Sequence, residues 1–160
     1  MSEHDAPEPP ADGGTADRAG LTAAEQELWR AFLGWSEQVT AGVAKALATA
    51  GLSVPEFEIL ARLHAAPGRR LGQLDLGLAL GWSASRLSHQ LSRMAARDLL
   101  DRAEAGTGRA MDVALTGHGA QVIGSALQVH ARAVRERFLD PLDAESRHTL
   151  GRVFTGRSRD

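Results

Sequence analysis

Between Gly81 and Gly119 the chain reads GWSASRLSHQLSRMAARDLLDRAEAGTGRAMDVALTGHG, its richest run of side chains able to grip a polyanion. Ser83 is placed to cap a helix, and the residues after it sort by phase. With Leu87 at zero and about 100° added per residue, Leu91 and Met94 fall within about 40° of it. Ser85, His89, Ser92 and Arg93 then cluster between about 140° and 240°, about opposite the apolar edge, and Arg86 lies near 260°. A solvated helix face has the same broad look. Two features favour groove reading instead: no acid follows on this face before Asp98, and Ser85, Ser88 and Ser92 are short enough for close backbone approach. A guanidinium can pair with guanine edges or with phosphates, the contacts that nucleic-acid readout requires. Arg109 follows Gly108 at the start of a second strand. An arginine at such a turn either lies in solvent or enters a narrow minor groove, where negative potential is concentrated.

Other chemistries find less support. The six histidines (His4, His64, His89, His118, His130 and His148) form no HxxxH, HxH or HExxH spacing. With no cysteine either, no metal site and no disulfide is expected. No serine sits in GxSxG and there is no phosphate loop, so neither an enzyme nor a cofactor is expected. Trp29 and Trp35 read as core or dimer contacts, with ligand stacking as the alternative.

The elements around this stretch follow from caps and periodicity. Residues 1–20 are rich in Pro, Gly, Asp and Ala without periodicity and are expected to be a disordered acidic tail. Thr22 and Glu25 form a capping box, after which Leu28, Phe32, Trp35, Val39, Val43 and Leu47 make one long apolar stripe ending at Gly51. Ser53 and Glu56 form a second box, with Pro55 in the first turn, and Pro67-Gly68 ends that helix. A third helix is expected over Leu71–Leu80. The tight Leu80-Gly81-Trp82-Ser83 joint then leads into the polar helix, as in a helix-turn-helix. Ala103-Glu104 and the alternating Met111, Val113 and Leu115 predict two strands. Thr116 caps a long helix to about Phe138, Asp140-Pro141 breaks it, and Asp143 caps a last helix. The expected order is α-α-α-α-β-β-α-α.

The 160 residues suffice for about one domain, and the formal net charge of −2 speaks weakly against nucleic acid. The distribution reverses that impression. Residues 1–60 are acidic, whereas residues 61–109 carry eight arginines against four acids. Local charge decides where a polyanion settles. Lys45 is the only lysine, a bias that a GC-rich genome would also produce. No run of eighteen apolar residues and no secretory signal is present, so no membrane association is expected and the expected location is the cytoplasm.

The run from Leu21 to about Phe154 resembles the MarR-type winged-helix regulators of bacteria. The likeness is carried by SVPEFEILARLHAAPG on the second helix, LGWSASRLSHQLSRM at the reading helix and RAMDVALTGHG at the wing, with LTAAEQELWRAF and HARAVRERFLDPL at the two ends. The resemblance implies a mainly α fold: one domain over 21–156, with a winged helix-turn-helix lobe at about 53–116. Long terminal helices at about 21–50 and 117–156 would form a dimerisation region. It further implies a homodimeric repressor on a palindromic double-stranded DNA operator, released by a small aromatic or acidic effector. Ser83, Ser85, Ser88, His89 and Arg93 would then face base edges or phosphates, Arg86 the backbone and Arg109 the minor groove. Trp35 and His64 are the candidate effector contacts. Two departures stand out. Thr107 occupies the position where the family wing usually has Asp. The third helix, GQLDLGLAL, is apolar where the family is polar, and Gly72 and Gly77 weaken it by about 1 kcal/mol each relative to Ala. They motivate an alternative: a winged-helix dimer that has lost DNA reading and uses its pocket to bind or transform a small molecule.

Overall fold

The computed structural model describes residues 20–104 and 111–156, which divide after Trp35 into two compact units. The acidic segment 1–19 and the wing tip with Thr107 and Arg109 lie outside the described residues. The architecture is mainly helical with one small antiparallel sheet, a winged-helix fold.

The first unit carries the opening turns of α1 (Ala23–Thr49). Its start is held as the sequence predicts. The Glu25 carboxylate accepts from the Thr22 N–H at 2.7 Å and from its hydroxyl at 2.9 Å, and the Glu25 N–H donates to Thr22 Oγ1 at 3.3 Å. Leu28, Trp29, Phe32 and Leu33 are all exposed, with the Trp29 and Phe32 rings stacked at 5.6 Å.

In the second unit α1 ends with Leu47 fully buried, and Gly51 turns the chain with φ 73°. The next helix, α2 (Val54–Ala65), starts at the expected Ser53 with Pro55 in its first turn. Its Phe57, Ile59, Leu60 and Leu63 enter the core, each burial contributing roughly 1.5–3 kcal/mol. A 3-10 turn, Pro67–Arg69, follows. Here the structure departs from the expected third helix. Residues Arg70–Gly72 form a short strand, β1, and α3 begins only at Gln73 and ends at Leu80. Pairing with a distant strand satisfies the backbone of 70–72, and Gly72 becomes the extended residue before the helix, so it imposes no helical penalty.

The polar helix is α4 (Ala84–Ala96), followed by β2 (Leu100–Glu104) and β3 (Met111–Leu115). The second strand therefore opens three residues before the expected Ala103. The sheet order is β1-β3-β2, with Leu71 opposite Val113 and Arg102 opposite Val113 from the other side. Val113 is buried as its alternation predicts. Then α5 (Gly117–Val134) is capped by Thr116, whose hydroxyl accepts from the Gly119 N–H at 2.9 Å. The expected single helix to Phe138 changes pitch: Arg135–Leu139 form a π turn before the Asp140-Pro141 break. Asp143 accepts from the Ser146 N–H at 2.7 Å and caps α6 (Ala144–Gly156). Leu87, Leu91 and Met94 of α4, Leu76 of α3, Leu99, Leu100 and Ile123 complete the core.

Candidate nucleic-acid interface

Two helices and a left-handed glycine build the site. Gly81 has φ 65°, a conformation that costs a residue with a Cβ about 1–2 kcal/mol. Its N–H bonds to the Leu78 carbonyl at 3.2 Å and the Trp82 N–H to that of Gly77 at 3.1 Å, so α3 ends in a closed turn. Gly77 is buried, and a Cβ there would lie 3.4 Å from Leu87 Cδ2. A methyl there would sit at ordinary van der Waals distance from Leu87, so the packing of α3 on α4 does not itself demand a glycine.

On α4 the phase argument holds in three dimensions. Leu87, Leu91 and Met94 are buried, while Ser85, Arg86, His89, Ser92 and Arg93 are exposed and Ser88 is half-buried. Ser83 precedes the helix, and its hydroxyl accepts from the Arg86 N–H at 3.3 Å and lies 3.4 Å from the Ser85 hydroxyl. The structure thus brings six of the seven candidate DNA contacts onto one helix and its cap. The seventh, Arg109, lies outside the described residues.

Several partners of this face escape sequence reasoning. The Arg86 guanidinium lies 4.0 Å from the centre of the Trp82 ring, a cation–π contact. Arg93 donates to the side-chain carbonyl of Gln90, a buried amide. Arg102 of β2 donates to Ser92 Oγ at 3.3 Å and to Gln73 Oε1 at 2.8 Å. Just past α4, Arg97 donates to Glu56 Oε1 at 2.5 Å and to the Gly51 carbonyl at 2.8 Å. Glu56 also accepts from the Ser53 N–H and hydroxyl. Burial pushes the Glu56 carboxyl upward, but the Ser53 hydrogen bonds and the Arg97 cation outweigh it and hold the group below its ordinary range. The reading helix is therefore tied at its far end to the start of α2. A period-3.6 pattern shows which face of a helix is polar. It does not show which polar groups meet from 41 residues away.

An open groove of about 670 Å³ runs beside α3, the start of α4 and β3. Leu74, Leu78, Trp82 and Met111 give it an apolar lining, and Leu74 and Leu78 are respectively 76% and 73% exposed. The two candidate effector residues fall in separate units. Trp35 is half-buried in the first. His64 is half-buried in the second, its Nδ1 enclosed and without a hydrogen-bond partner among the described residues. Among the described residues there is no cluster of metal ligands, and no helix is long and apolar enough to cross a membrane.

No protein-family model matches the chain, and neither does any curated protein. Solved structures do. AbsC, a MarR family transcriptional regulator from Streptomyces coelicolor, is 32% identical with a TM-score of 0.80, over 87% of this chain and 95% of its own. Sco3205, another MarR family regulator from the same organism, was solved in complex with DNA. It is 27% identical with a TM-score of 0.79, over 87% of this chain and 89% of its own. A mutant of MarR from E. coli complexed with operator DNA shares the fold at 19% identity, with a TM-score of 0.70 over 81% of this chain and 92% of its own.

Proposed function

The chain belongs to the MarR family of transcriptional regulators, and from that premise we propose that it is a sequence-specific, homodimeric repressor of double-stranded DNA released by a small effector. The observation that carries the reading is α4 itself. It shows Ser85, Arg86, His89 and Arg93 outward on a helix whose opposite edge is buried, and no acid occurs from Leu76 to Arg97. Such a helix enters a major groove with its N-terminal half against base edges. Ser83, Ser85, Ser88, His89 and Arg93 face bases or phosphates, Arg86 holds the backbone, and Arg109 reaches the minor groove. Phosphate contacts position the protein, while one or two base contacts per half-site specify. That Sco3205 was solved with DNA supports the same partner here.

The lobe spans about 53–116 and the dimerisation helices about 21–50 and 117–156. Dimerisation is supported by the exposed apolar side chains Leu28, Trp29 and Phe32 on α1 and, separately, Val153 on α6. The effector is a small aromatic or acidic molecule. His64 is its candidate contact in the second unit and Trp35 a candidate in the first, each to be tested by its own variant. The chemistry is binding rather than catalysis.

Exposed Leu74 and Leu78 favour one second reading, a dimer repurposed to bind or transform a small molecule, because they give the first helix of the pair an apolar surface. A titration of the full chain against DNA from its own upstream region, with random DNA as competitor, separates the two. Preference for the upstream fragment, lost on replacing His89 and Arg93 together by Ala, is expected. Equal or absent binding would favour the repurposed dimer.

A further inference from the structure

Arg102 stands on β2 two residues from the buried Leu100, with exposed Asp101 between them. Strand alternation therefore puts it on the core side of the sheet. Its Nε is enclosed without a hydrogen-bond partner, and among the described residues no carboxylate pairs with it. The rest of the guanidinium is used. One terminal nitrogen donates to Gln73 Oε1 at 2.8 Å, on the first residue of α3. The other donates to Ser92 Oγ at 3.3 Å, and that hydroxyl in turn donates to the Ser88 carbonyl at 3.0 Å. A polarised chain thus runs from a wing strand into the middle turn of α4, beside Ser88 and His89, with a branch to the start of α3.

We propose that Arg102 is a positioning residue for DNA recognition: one guanidinium fixes α4 against both α3 and the wing. Charge-assisted hydrogen bonds are shorter and stronger than neutral ones, and a rigid planar fork reaching two acceptors sets an angle as well as a distance. A reading helix needs that constraint, because supporting residues must hold a site to within about 0.5 Å. Arg102 acts through Ser92 and Gln73 and makes no DNA contact of its own. The inference rests on the DNA-binding reading, but the constraint on α4 is a property of the free protein and is measured there.

The test uses the full chain with Arg102→Met, which keeps an unbranched stem and loses every donor. In hydrogen exchange, the α4 amides around Ser88–Arg93 are expected to open about tenfold faster, with the α2 core amides unchanged. In DNA titrations the preference for an identified operator over random DNA is expected to fall about tenfold, while the salt slope stays that of the parent. Arg102→Lys, which retains the charge and reaches one acceptor, should restore part of that preference. Adding Ser92→Ala to Arg102→Met should lower the operator preference far less than Ser92→Ala does in the parent, since the shared bond is already gone and only the local bond to Ser88 is lost. Should Arg102→Met fail to fold, Ser92→Ala alone cuts the link from the exposed side and is expected to raise α4 exchange in the same region. Parent-like exchange in α4 overturns the proposal. So does an equal loss on both DNAs with a salt slope smaller by about one, which would make Arg102 a phosphate contact. A parent chain that binds no DNA would defeat the functional reading and leave the exchange arm to decide this one.

Discussion

Three glycines share α5, and the structure assigns them opposite responses to the same substitution. A Cβ on Gly119 would lie 1.8 Å from the Leu99 carbonyl oxygen and 2.8 Å from its carbon, whereas nothing lies within 4 Å of one on Gly117 or Gly124. A carbon and an oxygen not bonded to each other settle at more than 3 Å, so Gly119→Ala must push the start of α5 away from the corner before β2. That corner is held by the Thr116 hydroxyl donating to the Asp98 carbonyl at 2.5 Å and by the Thr116 N–H to the Leu99 carbonyl at 3.4 Å. Losing both costs about 1–3 kcal/mol. Partly unburying Leu99, now 1% exposed, costs up to about 2 kcal/mol more. A total of about 1–5 kcal/mol corresponds to a melting temperature lower by about 2–20 °C for a chain of this size. Gly124→Ala should instead stabilise by up to about 1 kcal/mol, because Ala is the better helix former and meets only open space. Circular-dichroism melts at one fixed protein concentration provide the comparison, since an oligomer's midpoint shifts with concentration. If Gly119→Ala melts within about 2 °C of the parent, the close approach of α5 to Leu99 is wrong.

Asp98 is a non-glycine residue with φ 55° at the end of α4, so Asp98→Gly should stabilise by about 0.5–1 kcal/mol in urea unfolding, and no gain would mean that this turn is not left-handed. The Glu56 carboxyl is held below its ordinary value of 4.5, so the unfolded chain binds the extra proton first and stability falls as pH drops through the folded value. Between about pH 6 and pH 4 the parent should therefore lose more stability than Glu56→Gln, and parallel pH profiles would refute the assignment. Trp82→Leu removes the surface under Arg86 and should weaken both specific and random DNA about two- to fivefold, as an exposed cation–π contact implies. In a Trp29→Phe, Trp35→Phe background the remaining Trp82 emission should change on DNA binding, and an unaltered spectrum would place Arg86 away from the DNA.

Local signals in the sequence were legible because their partners are three or four residues apart. Thr22 with Glu25, Ser53 with Glu56, and the caps at Ser83, Thr116 and Asp143 all appear where the pattern puts them. The buried ridge Leu87, Leu91, Met94 and the outward Ser85, His89 and Arg93 follow from the same period. Strand β1 was hidden, because three residues show no alternation and their partners lie some forty positions on. Gly72 was misread for the same reason. The contacts that hold the candidate site, Arg97 to Glu56, Arg102 to Gln73 and Arg86 on Trp82, depend on how elements meet, which no single-element pattern encodes. Gln90 is intermediate: about 60° from Leu87, it stands at the margin of the apolar edge, where burial of a polar group could have been anticipated.

The π turn at Arg135–Leu139 bears on how such a protein can change over generations. A π turn closes its hydrogen-bonded ring over one more residue than an α turn and keeps the backbone bonded, so the last turn of α5 takes up an extra residue before the Asp140-Pro141 break. Before it, Ile123, Ala126 and Ala133 lock α5 to the core in one rotational phase. After it the helix stops at Asp140-Pro141, so one residue gained or lost in this last turn shifts the point at which the chain leaves α5 by about 100° around the helix axis. The C-terminal arm can therefore present a different face to its surroundings through a one-residue length change, leaving the reading helix and its supports as they are.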